Sequence, residues 1–469
     1  MSPHTLGPRR RTASPRPAGT ALDARRPARL VVAGFLAAAV LGTLLLMLPV
    51  SSADGTWTAP LPALFTATSA VCVTGLTVVD TAVHWSIVGD VVILLLIQVG
   101  GLGVMTLATL LGMLVSDRLG LRMGLTVLSE RRGEGLGDLR RVILGILRTA
   151  LAVEAVIALV LAVRFHLSYD MHPGRAAWFG VFHAVSAFNN AGFGLRSDNL
   201  MSYATDPLVI WPIAAAIVVG GLGFPVLLEL RRQLAGRYET AGARRMISVH
   251  TRLTLATYGV LMVVGIVAFV LLEWTNQRTI GGWPVIDKLT GAGFHGITVR
   301  TAGFNTLDIA QMRTQSWLVS DVLMFIGGGS AGTAGGIKVT TFALLAVLIW
   351  SEVRGEAKVH VMRRSVAPDV QRQAVTVALL SVGLVFAATL ALSIITEYSL
   401  DQILFEVISA FGTVGLTTGI TPSLPGEAQA LVILLMYIGR LGPITLATSL
   451  ALRTVHRHYD YPEDRVVVG

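Results

Sequence analysis

Apolar residues in this chain gather into long runs separated by shorter ones. Eight runs, at 30–50, 87–115, 142–165, 208–230, 251–274, 317–350, 375–395 and 431–450, have the length of about 20 residues that a helix needs to cross a bilayer. Between the members of each successive pair lies a shorter apolar segment, at 60–75, 176–192, 283–303 and 401–415, ending on a glycine. The order long, short, long therefore occurs four times. The sequence within the short segments repeats as well. FEVISAFGTVGL at 405–416 is matched by FHAVSAFNNAGF at 182–193, with Phe, Ser, Ala, Phe and Gly in the same places. FTATSAVCVTGL at 65–76 keeps the first Phe, the Ser-Ala pair and the Gly, and FHGITVRTAGF at 294–304 is a looser copy one residue shorter. The terminal glycines Gly75, Gly192, Gly303 and Gly415 are 117, 111 and 112 residues apart. Near-even spacing of four copies points to internal repetition.

The pattern predicts an all-α polytopic membrane protein built as four membrane–pore-loop–membrane repeats over 29–115, 140–230, 250–350 and 371–453, with a basic tail at 1–28 and a second tail at 454–469. Eight spans leave both termini on one side. Arginines crowd into the N-terminal tail and into 116–142, 231–252 and 351–373, whereas 51–84 and 399–429 contain no Lys or Arg. That alternation makes the basic side cytoplasmic. The short segments then fall outside the cytoplasm although they are apolar. Folding them back as re-entrant helices resolves the conflict, because irregular backbone at membrane depth is tolerated where it is buried in protein or lines a water-filled path.

Composition agrees. Of 469 residues, 53% are hydrophobic and 14% charged, with mean hydropathy +0.68, far from the make-up of a soluble domain. The net charge of +9 is distributed topologically, which argues against nucleic-acid binding. The first run is longer than the apolar core of a secretory signal, about 7–15 residues, so it is read as a span. The single cysteine, Cys72, leaves no intramolecular disulfide and no cysteine metal site.

The small residues at the ends of the short segments suggest the chemistry. A bare cation needs its hydration shell replaced, and backbone carbonyls can replace it. Glycine lets the chain adopt φ values that other residues avoid, and a short helix before each loop aims its negative end at the same place. The candidate donors are Val73, Thr74 and Gly75; Asn190, Ala191 and Gly192; Thr301, Ala302 and Gly303; and Thr413, Val414 and Gly415. A second echo is GGLG at 100–103 and 220–223, GGGS at 327–330 and GRLG at 439–442, beginning 25, 28, 24 and 24 residues after the respective loop glycines. Glycines in apolar helices let neighbouring backbones approach closely.

IGGGSAGTAGGIK at 326–338 interrupts the longest run with glycines that each cost a helix about 1 kcal/mol. The helix is expected to break there, leaving Gly327, Gly328, Gly329, Ser330, Ala331, Gly332, Thr333, Ala334, Gly335, Gly336 and Lys338 as a candidate plug beneath the loops. A dinucleotide fingerprint over Gly327, Gly329 and Gly332 is rejected because no strand precedes it. Arg440, near the middle of the last span, is a functional candidate because an arginine at that depth is costly. Its alternatives are repelling cations on the axis or tying the broken helix to its neighbours. Arg148 and Glu154 are read as a structural pair, Glu406 as the start of the fourth short helix, and His183, His295 and Cys72 as packing residues.

The VTGL, FNNAGF, RTAGFNT and FGTVGL segments, with GGGSAGTAGGIK and YIGRLGP, resemble the Trk/Ktr/HKT superfamily of potassium transporters. Length, span number and the YPEDRVVVG tail look most like the membrane subunit of the bacterial Ktr system. The resemblance implies pseudo-fourfold symmetry, K+ held by filter carbonyls, a gating loop at the glycine run, and the arginine of the GRLGP segment at the pore constriction. It also implies a homodimer with one pore per protomer, a cytoplasmic nucleotide-binding (RCK-type) regulatory ring, and residence in the bacterial plasma membrane. Within that superfamily a serine at the first filter position goes with sodium preference, so Gly75 favours potassium. A sodium- or ammonium-permeable transporter of the same fold is the alternative. No organic cofactor and no enzymatic activity are expected.

Overall fold

The computed structural model describes residues 25–123, 136–234, 247–356 and 358–452. Most of the tail expected at 1–28, and all of that expected at 454–469, lie outside them. The first unit comprises α1 (Arg25–Met47), the short α2 (Pro60–Val71), a one-turn α3 (Thr81–His84) and α4 (Ile87–Met123). The second runs through α5 (Leu136–Tyr169), the short α6 (Pro173–Phe188), α7 (Pro207–Leu222) and α8 (Phe224–Leu234). The third holds α9 (Val249–Glu273), the short α10 (Val285–Thr298), α11 (Thr314–Phe325) and α12 (Val339–Val353). A small hairpin, β1 (His360–Val361) with β2 (Arg364–Ser365), leads to α13 (Pro368–Ile395), the short α14 (Leu400–Gly412) and α15 (Gly426–Leu452).

Local chemistry sets where these helices begin. Pro60, Pro173, Pro207 and Pro368 occupy first-turn positions, where a missing N–H costs nothing. Asp206 accepts from Leu208 N and Ser248 from Thr251 N, while Ser399 and Gln402 form a reciprocal capping box on α14. Four described helices are long and apolar enough to cross a membrane by length and composition, in α4, α5, α9 and α13. The pair α7–α8 makes a fifth span bent by 104°. The three remaining outer positions belong to α1, with an apolar stretch at Val32–Met47, to the interrupted α11–α12, and to α15.

The continuous span expected at 208–230 is corrected by this bend. Gly223 there has φ +93°, and a Cβ on it would stand 2.3 Å from the carbonyl oxygen of Ser330. The glycine-rich segment of the third unit occupies the space a straight helix would need. The break expected within 317–350 is present, between Phe325 and Val339.

The units are joined in a cycle. The second long helix of each packs on the short helix of the next: α4 on α6, α7 on α10, α11 on α14, and α15 back on α2. The repeated Phe65, Phe182, Phe294 and Phe405 are wholly buried in this core. Large apolar side chains such as Leu41, Leu95, Val160, Leu271 and Phe386 face outward, as expected of a surface in contact with lipid tails.

Candidate functional site

The four short helices end in turns of one design. Val73, Asn190, Thr301 and Thr413 have φ of +56, +58, +86 and +48°, and the glycines two residues on have +92, +70, +75 and +94°. The residue between them is not left-handed in any of the four. The amide hydrogens of these middle residues are turned back onto the short helices. Thr74 N donates to Ser69 O at 2.8 Å, Ala191 N to Ser186 O at 2.7 Å, Ala302 N to Thr298 O at 2.9 Å and Val414 N to Ser409 O at 2.9 Å.

Hydroxyls extend the pattern. Ser69 Oγ accepts from Gly75 N at 3.1 Å and Ser409 Oγ from Gly415 N at 3.2 Å. Thr298 Oγ1 accepts from Phe304 N at 2.9 Å, and Ser186 Oγ donates to Phe193 O at 2.8 Å. With the N–H groups engaged behind the loops, the middle carbonyls are left for the other side.

Those carbonyls meet the next unit in turn. A Cβ on Gly75 would stand 2.4 Å from Ala191 O, one on Gly192 2.7 Å from Ala302 O, one on Gly303 2.0 Å from Val414 O, and one on Gly415 2.1 Å from Thr74 O. The relation runs from first unit to second, third, fourth and back to first. The twelve residues singled out in the sequence therefore close a ring around one line, and no side chain fits at its glycine positions. The negative ends of four short helices converge on it.

Directly against the ring lies the glycine segment. Gly329 N donates to Gly221 O at 2.8 Å and Thr333 N to Gly220 O at 3.2 Å, so the segment is held by the end of α7. Thr333 Oγ1 hydrogen-bonds the side-chain amide of Asn190 at 3.2 Å, and a Cβ on Gly335 would meet Thr413 Oγ1 at 2.1 Å. Arg440, 2% exposed, donates to Thr333 O and, at 3.3 Å, to Gly100 O. It thus ties the segment to the first unit, which is the second of its two expected roles. Lys338 Nζ turns back onto Ala334 O at 2.5 Å.

The recurrent double glycines have a common use in three units. A Cβ on Gly100 would meet Val71 O at 1.9 Å, on Gly220 Phe188 O at 1.8 Å, and on Gly439 Phe411 O at 2.0 Å. In each case the long helix lies directly on the last turn of a short one. In the third unit Gly327 faces Gly335 O of its own segment instead, at 1.9 Å, because the helix has broken there.

Other expectations need correction. Glu406 does not start α14; the helix begins at Leu400 and Glu406 lies mid-helix, fully buried. It accepts from Thr418 N at 3.0 Å, from Thr421 Oγ1 at 2.8 Å and from Thr417 Oγ1, and so braces the segment after the fourth loop. Glu154 is bonded to Gln98 and Asn189; Arg148, six residues earlier on the same helix, is rotated from it by about 120°. His183 and His295 pack as expected, the first with Nδ1 2.8 Å from Phe179 O, the second edge-on to Phe269. Cys72 is buried.

Two sets of residues escaped the sequence reading. Arg300, 1% exposed, donates to Tyr258 O at 2.8 Å and to Gly327 O at 3.0 Å while its guanidinium lies 4.0 Å from the Tyr258 ring centre. An arginine within an apolar segment was signal enough. The Ser of each Ser-Ala pair was visible as a repeat, but its bond to the loop amide was not.

Comparison with known proteins follows the same lines. The TrkH profile, described as a cation transport protein, matches residues 11–455. The chain is 39% identical over 444 residues to Ktr system potassium uptake protein B of Bacillus subtilis (strain 168), spanning 94% of this chain and 97% of that one. It is 34% identical over 449 residues to Potassium/sodium uptake protein NtpJ of Enterococcus hirae, spanning 94% and 97%. Among solved structures, the potassium transporter TrkH from Vibrio parahaemolyticus shares the fold, with a TM-score of 0.71 at 18% identity over 92% of this chain and 86% of that chain. With a fourfold loop ring and a profile match running nearly end to end, the chain belongs to the TrkH family of cation transport proteins.

Proposed function

We propose that this protein mediates potassium uptake across the bacterial plasma membrane, with both termini in the cytoplasm. The observation that carries the reading is the cyclic approach of each loop glycine to the middle carbonyl of the next unit. Thr74, Ala191, Ala302 and Val414 then offer peptide oxygens to a dehydrated cation, and the residues before and after them complete a selectivity filter. The potassium uptake activity named for the Bacillus subtilis relative supports the choice of ion.

The glycine segment 327–338 and Arg440 act as the gate. Packed under the second and fourth loops, the segment blocks the exit, and the guanidinium adds a positive charge that repels the next cation. Conduction requires Thr333 to withdraw from Arg440 and Asn190. The protein works as a homodimer with one pathway per protomer, and a cytoplasmic nucleotide-binding ring drives the withdrawal.

The test is uptake of labelled potassium into proteoliposomes in competition with sodium, rubidium and ammonium. Potassium and rubidium are expected to compete well and sodium poorly. Absence of cation flux beside robust transport of a non-cation would refute the proposal. The second reading, sodium permeation through the same ring, is favoured by the potassium/sodium activity in the name of the Enterococcus relative. A permeability ratio near unity from mixed-ion reversal potentials would establish it instead.

A further inference from the structure

Glu154 is an acid that the ion pathway leaves without a role. It lies within α5 at 5% exposure, on a helix whose Val156, Leu159 and Val163 face outward. Its oxygens accept from amides: Gln98 Nε2 at 3.1 and 3.2 Å and Asn189 Nδ2 at 3.2 Å. The Asn189 nitrogen also reaches Gln98 Oε1 at 3.0 Å and Val185 O at 2.9 Å. Gly101 makes the room, since a Cβ there would stand 1.8 Å from Asn189 Oδ1. The network thus joins α4 of the first unit to α5 and α6 of the second.

Its position relative to the ring is what matters. Asn189 caps the C-terminus of α6, and the next residue, Asn190, opens the second loop in the left-handed region. The corresponding places before the other loops hold Cys72, Arg300 and Gly412, so the acid–amide network belongs to the second unit. A non-glycine residue in a left-handed conformation persists where its surroundings over-determine it. A carboxylate acceptor strengthens the amide hydrogen bonds that do so, and an ionisable group kept within a span is by default a functional one.

We propose that Glu154 is a positioning residue: acting through Asn189, it sets the geometry of the second loop and with it the discrimination between potassium and sodium, without touching the ion. The proposal rests on the reading of the ring as the filter. Potassium uptake with competing sodium is measured in proteoliposomes for wild type, Glu154→Ala, Glu154→Gln and Gln98→Ala. Glu154→Ala is expected to lower the potassium preference by about tenfold, the scale on which outer-shell partners act at metal sites. Gln98→Ala shifts it in the same direction by less, and Glu154→Gln, which keeps an acceptor in place, stays within about twofold of wild type.

An unchanged preference in folded Glu154→Ala overturns the proposal, and so does Glu154→Gln behaving as Glu154→Ala does. If Glu154→Ala cannot be recovered from membranes, Gln98→Ala and Gln98→Leu decide, and a wild-type preference in both overturns it. A wild type without potassium preference sinks the filter reading and this role together. A wild-type preference that survives the variants sinks this role alone.

Discussion

At Gly75 two constraints coincide: a backbone φ of +92° and a neighbouring carbonyl 2.4 Å from where a Cβ would stand. A serine there faces strain of about 1–3 kcal/mol and pushes on Ala191, so its cost falls on the ring itself. Gly75→Ser is expected to lower potassium over sodium permeability by about tenfold, the weight of roughly 1.4 kcal/mol; an unchanged reversal potential in mixed ions would count against the ring as filter. Gly303→Ala meets Val414 O at 2.0 Å and should abolish selective flux altogether, measured in the same way. The glycines were legible because only glycine is easily placed at such φ. The hydrogen bonds from loop amides to Ser69, Ser186, Thr298 and Ser409 were not, because a serine in an apolar helix looks the same whether it serves its own helix or the turn beyond.

Among the elements, the glycine segment between α11 and α12 has the clearest testable role. It is held by Arg440 at Thr333, by Arg300 at Gly327 and by the end of α7. Removing residues 328–335, or replacing Arg440 by Ala, is expected to raise flux several-fold in liposomes without a partner. Background flux from well-folded variant protein would contradict the gate. The break in the third unit was legible from its glycine content, since no helix accommodates so many. The bend at Gly223 was not legible. An apolar run with one glycine reads as a straight span until the Ser330 carbonyl is found in its way. The start of α14 was misjudged for a related reason: the Ser399–Gln402 capping box precedes the strongest apolar stretch, and Glu406 resembles a helix-start charge only if the helix is begun too late.

For the whole molecule, the closed cycle of four units predicts linkage between ion and fold. A cation held by carbonyls from all four units binds the assembled ring and not the separated ones. At about 100-fold excess over its dissociation constant such a ligand stabilises by about 2.7 kcal/mol. Potassium is therefore expected to raise the melting temperature of the detergent-solubilised protein by several degrees over an equal concentration of sodium, followed by intrinsic fluorescence. Equal stabilisation by the two ions would argue for a ring that does not discriminate.

Repetition, span length and charge bias are local or periodic properties, and the chain by itself determined everything that follows from them. These were the fourfold organisation, the re-entrant segments, the positions of the loop glycines and the broken helix. What the tertiary structure alone decided was which groups meet across repeats. The order of the loops around the line, the attachment of Arg440 to Thr333, and the link from Glu154 to Asn189 through Gln98 join residues 35 to 340 positions apart. Such contacts depend on how the units are turned against one another. That turn is set by glycine-to-carbonyl packing, which leaves no periodic trace in the sequence.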